Sequence, residues 1–235
     1  MAQDAHYLSH SDDARFFEDL ANRITTALHT ATFNASDAVY GCGSQGLLAL
    51  ALDMDAPPTE EIFAQVPDNF VESIKNNTNH WTVGEIALPA FFRVLHSNGY
   101  DELLYSLMNQ TTEPSYGYEV VSGATSPWKA WDGTSTSGSS TNHLMFGYGD
   151  VQLSQLSGMQ QVNSSVAWES INYYPTLVGN LTAASASHLT PRERASAAWK
   201  YVFLPAKENG TVIKPFDGLY SPVFVGSGNH SFTVT

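Results

Sequence analysis

A single cysteine, Cys42, occurs in the 235 residues, so no disulfide can close within the chain. Taken alone, that points toward a reducing compartment. Basic residues are also scarce. Ten Lys+Arg stand against 23 Asp+Glu, for a net charge of −13. This acidity argues against nucleic acid or an anionic membrane surface as a partner. No apolar run is long enough to cross a bilayer, and the opening Met-Ala-Gln-Asp lacks the basic and apolar regions of a signal peptide. The eight histidines are scattered, with no pair at metal-ligand spacing, so no structural zinc is expected. Internal repeats are not evident.

What the chain does have is apolar mass. Hydrophobic residues make up 43% and aromatics 12%, which suits one large or two small domains with a buried core. Asn-x-Ser/Thr sequons begin at Asn34, Asn76, Asn109, Asn163, Asn180, Asn209 and Asn229. Their density, the low lysine content and the acidity fit a secreted hydrolase of fungal type, against the hint from the lone cysteine. Secretion without a leader leads to the expectation that the sequence is a fragment of something longer.

The first 156 residues read as helices. Ser11 is placed to cap one, with Asp12 and Asp13 in its first turn and Phe17, Leu20, Ala21, Ile24 and Leu28 at helical spacing, to about Ala31. Ser44 opens a second, whose Leu47, Leu48, Leu50 and Leu52 make it apolar on most sides, as an inner helix would be. Pro57-Pro58-Thr59 opens a third, with Ile62, Phe63, Val66, Phe70 and Ile74 as core candidates and Pro67 as a break or kink. Further helices are expected over Ile86–Ser97, stopped by Gly99, over Asp101–Met108, and from His143 to about Leu156. Paired helices of this kind fit half of a toroid or an ordinary bundle. From Val166 onward, short alternating runs punctuated by Gly and Pro replace the helical period: Val166–Trp168, Ile171–Tyr174, Leu181–Leu189, Ala197–Phe203, Val223–Val225 and Ser231–Val234. These read as a small β-domain.

The stretch from Tyr116 to Gly147 gathers the residues with chemistry. Tyr116, Tyr118, Trp128 and Trp131 offer flat rings, Gly123 and Gly133 permit tight turns, Asp132 lies between Trp131 and Gly133, and His143 follows a Ser/Thr/Gly loop. Pyranoses present an apolar CH face and a rim of hydroxyls, so aromatic faces beside a few polar groups suit a sugar.

Gly-Ala-Thr-Ser-Pro-Trp-Lys-Ala-Trp-Asp-Gly, from Gly123 to Gly133, and the later Asn142-His143-Leu-Met-Phe-Gly resemble the α-L-rhamnosidase family of glycoside hydrolases. That family carries Gly-Ala-Thr-Thr-x-Trp-Glu-x-Trp-Asp-Gly followed by Asn-His-x-x-x-Gly. The resemblance covers nearly the whole chain, but only the family's C-terminal portion. It implies a mainly α fold with a C-terminal β domain: a partial (α/α)6 toroid of the six-hairpin type over residues 1–160, then a shortened β-sandwich over 161–235. It also implies rhamnose-containing glycosides as substrates, the missing N-terminal half of the barrel as partner, and secretion.

The resemblance assigns roles residue by residue. His143 falls on the sugar-binding histidine and Asp132 on the motif's aspartate, which orients either the loop or a sugar hydroxyl. Trp128 and Trp131 are the motif's tryptophans, one lining the site and one packing beneath. Trp81 is either another wall of the cleft or part of the core.

Inversion at a glycoside, the reaction that the resemblance implies, needs a carboxylic acid for the leaving oxygen and a carboxylate to activate water, about 6.5–9.5 Å apart, and no cofactor or metal. The family's base falls on Lys129, and no segment matches the family's acid. An ammonium is not a base for water. Glu85, in Trp-Thr-Val-Gly-Glu-Ile, is the substitute catalytic candidate, with a helix N-terminal charge as its plain alternative. Glu119 reads as structural. The expectation is therefore an α-L-rhamnosidase-like fragment, its activity in question. The alternatives are a non-catalytic rhamnose-binding protein and a remnant of a longer enzyme.

Overall fold

The computed structural model describes residues 1–133, 139–148, 158–162, 165, 171–173, 176–180, 200–203, 207–208, 211–212 and 222–225. By contacts the chain forms two units: residues 19–150, and residues 1–18 together with 151–235.

The unit spanning residues 19–150 is built from helices. A short helix α1 (Ala2–Tyr7) comes before it in the chain, and α2 (Ser11–Thr32) leads into it, ending in a two-residue hairpin of β1 (Phe33–Asn34) and β2 (Val39–Tyr40). Phe33 and Tyr40 face each other across it, and the buried Tyr40 hydroxyl meets His29 Nδ1 at 2.9 Å. Then follow α3 (Gln45–Asp53), α4 (Glu60–Asn76), α5 (Leu88–Ser97), α6 (Asp101–Met108) and α7 (Tyr116–Val121). α3 packs against both α4 and α5, and α5 packs against α6. The sequence explains the centre. α3 is Leu- and Ala-rich and buries Leu48, Ala49, Ala51 and Leu52, while α5 buries Leu88 through Phe92, Val94 and Leu95. Each large apolar side chain so buried is worth roughly 1.5–3 kcal/mol.

α3 also carries one polar residue inside this core. Gln45 is 3% exposed, and its amide joins three backbone groups: Nε2 donates to the carbonyls of Ser73 and His80, and Oε1 accepts from the Thr82 N–H at 2.8 Å. This ties the end of α4 and the α4–α5 connection to α3. Gly46 permits the close approach beside it, since a Cβ there would lie 3.2 Å from Ala87 Cβ. At the far end Arg93 reaches Asp53 with two hydrogen bonds, of 2.8 and 2.6 Å.

Several expectations are altered by packing. α4 starts where Thr59 caps it, its side chain accepting from the Ile62 N–H, but the helix runs on through Pro67. Buried Val66, Phe70, Val71 and Ile74 on either side keep the helix continuous where the proline removes one backbone donor. Phe63 is left exposed and Ile62 half-buried. α5 begins at Leu88 rather than Ile86. α7 forms where the sequence reads as loop. Its cap, Ser115, accepts from the Tyr118 N–H and donates to the Gln110 carbonyl, and a Cβ at Gly117 would come within 2.0 Å of that same carbonyl oxygen. The helix expected from His143 is instead a 3-10 turn, Leu144–Phe146, closed by the Gly147 N–H on the Leu144 carbonyl. Its continuation past Tyr148 lies outside the described residues.

In the other unit, β3 (Met159–Gln161), β4 (Ile171–Tyr173), β5 (Lys200–Phe203) and β8 (Pro222–Val225) pair in that order. The β4–β5 pair is parallel and the other two are antiparallel. β6 (Lys207–Glu208) and β7 (Thr211–Val212) form a separate hairpin. The runs expected at Val166–Trp168, Leu181–Leu189 and Ser231–Val234 lie outside the described residues.

Candidate functional site

α7 ends in a left-handed glycine, Gly123 at φ +86°, with its N–H on the Val120 carbonyl and the Ala124 N–H on the Glu119 carbonyl. The turn sends the chain into the Thr125–Gly133 loop. Two backbone hydrogen bonds then pair this loop with the segment before the 3-10 turn: Lys129 N–H to Ser140 O at 2.9 Å, and His143 N–H to Pro127 O at 2.8 Å. The Ser126 hydroxyl adds a third link, donating to the Thr141 carbonyl at 2.5 Å. Trp128 and His143 are therefore held on neighbouring backbone although they are well separated in the chain.

Beneath the loop lies Glu119, 3% exposed, whose carboxyl accepts from the Trp128 N–H at 3.2 Å. Burial pushes its pKa up to about 7, against the smaller opposing effect of that hydrogen bond. Its place under the tryptophan makes it an anchor of the loop, in keeping with a structural part.

The two tryptophans divide their tasks. Trp131 packs edge-on against Tyr116 at 5.3 Å and Phe146 at 4.8 Å, and tilted on Trp81 at 5.3 Å. It is an extension of the core. Trp128, half-buried, lies instead against Gly133, where a Cβ would come within 2.8 Å of its ring. Gly133 at φ +77° is left-handed backbone, so glycine is required there twice over. Tyr116 closes the cluster by donating to the Phe146 carbonyl at 2.5 Å.

Of the two places open to Trp81, cleft wall or core, the structure shows the core. It is fully buried and packed on Phe92, Tyr116 and Trp131. Its apolar neighbours on α5 explain why: the chain before that helix turns inward over them. Glu85 also departs from its plain alternative as a helix-end charge. It sits in a turn two residues ahead of the α5 cap, Ala87, and its Oε2 lies 2.6 Å from His143 Nε2. Glu85 is 37% exposed and His143 21%, so the pair faces solvent.

Lys129 is exposed, and its place in the loop is fixed through its backbone. Asp132 is half-buried beside Trp131. The structure thus gathers Trp128, Lys129, Trp131 and Asp132 on one short loop, with His143 and Glu85 alongside. Gln45 and the anchoring position of Glu119 escaped the sequence reading, since nothing local marks either. Among the described residues, no three His, Cys, Asp or Glu side chains converge as a metal site would require, and no helix is long and apolar enough to cross a membrane.

Residues 1–152 match the family profile described as bacterial alpha-L-rhamnosidase 6 hairpin glycosidase domain. Among curated proteins, an alpha-L-rhamnosidase of Streptomyces avermitilis is 27% identical over 94% of this chain and 24% of its own length. One from Formosa agariphila is 26% identical over 85% of this chain and 22% of its own. Among solved structures, that of native alfa-L-rhamnosidase from Aspergillus terreus superposes with a TM-score of 0.80 at 24% identity, over 99% of this chain and 28% of that one. The Dictyoglumus thermophilum alpha-L-rhamnosidase gives 0.75 at 26% identity, over 97% and 29%. The Streptomyces avermitilis enzyme complexed with L-rhamnose gives 0.77 at 23%, over 97% and 25%. The chain spans about a quarter of the length of these relatives.

Proposed function

Because this chain belongs to the alpha-L-rhamnosidase six-hairpin glycosidase domain family, we propose that it supplies one wall of a site for terminal, non-reducing α-L-rhamnose. The observation that carries this is the pairing of the Trp128 loop with His143. An aromatic face and a ring nitrogen held side by side can take the CH face of a pyranose and one of its hydroxyls. Trp128 is the stacking surface, Asp132 and His143 are the polar groups, and Trp131 is the floor that keeps the loop in place.

The reaction of such a site is inverting hydrolysis of rhamnose-containing glycosides. This chain contributes binding more than acid–base chemistry. At the position of the family's base stands Lys129, an exposed ammonium, and the acid would come from an earlier part of the barrel. On this reading residues 1–160 are the later helices of the barrel and 161–235 a shortened β-sandwich. The earlier helices are the partner, and the whole protein is secreted. Retention of rhamnose binding without turnover is a second reading, favoured by the lysine itself.

The test is a thermal melt of the purified chain with and without millimolar L-rhamnose. A cooperative transition raised by L-rhamnose, and not by L-arabinose or D-glucose, is the expected result. A cooperative melt indifferent to rhamnose refutes the site.

A further inference from the structure

We propose that Glu85 is a positioning residue for the sugar site: it holds His143 in the tautomer whose Nδ1 is a bare hydrogen-bond acceptor, and so makes that corner of the site a reader of hydroxyl donors. The inference deepens the rhamnose reading above and rests on it for the identity of the ligand.

The argument begins with the 2.6 Å contact between Glu85 Oε2 and His143 Nε2. An ionised carboxylate has only lone pairs to offer, so the proton in this contact belongs to Nε2. A neutral imidazole has one N–H, and with Nε2 carrying it Nδ1 is left as an acceptor. His143 opens the 3-10 turn, yet its side chain does not cap that turn, and among the described residues its only ring hydrogen bond is the one to Glu85.

The ring is held at three points. The backbone N–H is fixed on the Pro127 carbonyl, the ring lies 5.7 Å from that of Phe146, and Glu85 secures the far nitrogen. Glu85 is itself held in a tight turn, where the Ala87 and Leu88 N–H groups both close on the Gly84 carbonyl. Both members of the pair are partly exposed, so a ligand can approach this corner from solvent. A carboxylate backing a histidine from its far nitrogen is a general way to fix which ring atom meets a ligand. Here it gives Glu85 a different task from the acid–base role that its place in the sequence suggested.

The experiment is histidine-selective 15N labelling of the full chain, with long-range 15N–1H correlation at neutral pH. His143 is assigned by the signal lost in His143→Asn. Wild type is expected to show a pyrrole-type, protonated Nε2 and a pyridine-type Nδ1, with Nδ1 shifting on addition of L-rhamnose. Glu85→Leu is expected to give a mixture of tautomers and to weaken L-rhamnose binding about tenfold. A protonated Nδ1 in the wild-type chain overturns the proposal, and that result depends on no variant folding. So does an unchanged tautomer in a cooperatively melting Glu85→Leu. If the tautomer is as expected and L-rhamnose produces no shift, the sugar-site reading fails, and with it the positioning role, while the control of the His143 tautomer by Glu85 stands.

Discussion

Replacing Glu119 by glutamine should make the protein more stable at high pH and leave it unchanged at low pH. Glu119 is buried under the motif loop and titrates at about 7, against 4.5 for an unhindered glutamate. Below 4.5 the carboxyl is protonated whether the chain is folded or not, so it costs nothing. As pH rises from there to about 7, the unfolded chain ionises the group and the folded one resists, and stability is lost across that window. Above 7 the loss is complete and amounts to roughly 3 kcal/mol. The glutamine side chain of Glu119→Gln would be neutral throughout and could still accept the Trp128 N–H through its amide oxygen. In a chain of 235 residues that difference corresponds to a melting shift of roughly 6–12 °C. Circular-dichroism melts of both proteins near pH 4 and near pH 8 measure it. Equal gains at the two pH values, or no gain at the higher one, would refute the account of Glu119 as a carboxyl destabilised by burial.

Two further substitutions probe the frame of the site. Gln45→Leu is expected to lower stability by roughly 2–3 kcal/mol, because it strands the Thr82 N–H and the carbonyls of Ser73 and His80 in a buried place. Urea unfolding measures this, and a loss within the scatter of surface mutations would show that solvent reaches those groups. Gly133→Ala combines a left-handed backbone with a methyl group driven into the Trp128 ring, and should cost roughly 1–3 kcal/mol while displacing that ring. Tryptophan fluorescence reports the displacement, and an unaltered spectrum with full stability would contradict the packing described.

Legibility in the sequence followed the range of the interactions. α6 matches its expected bounds, Asp101–Met108, because its start and its Leu104 and Leu107 face are written in neighbouring residues. The start of α4 was equally local, set by Thr59. α7 went unseen because Tyr116-Gly-Tyr has little helical signature, and its formation depends on Ser115 and on the space that Gly117 leaves for the Gln110 carbonyl. The division of labour between Trp128 and Trp131 could not be read from a motif that contains both. It is decided by Tyr116, Trp81 and Phe146, which gather around only one of them. Glu85 and His143 stand 58 residues apart, and no pattern along the chain connects them.

The amide of Gln45 has a consequence for how the helices find their places. Leucines and alanines along α3 are nearly interchangeable as contacts, so apolar packing alone would tolerate the helix sliding or rotating by a residue. An amide that must meet one N–H and two carbonyls at once does not tolerate this. Gln45 acts as an index mark. It penalises every out-of-register arrangement of α3 against the α4–α5 connection, and Trp81 and Glu85, which lie on that connection, take their positions from it.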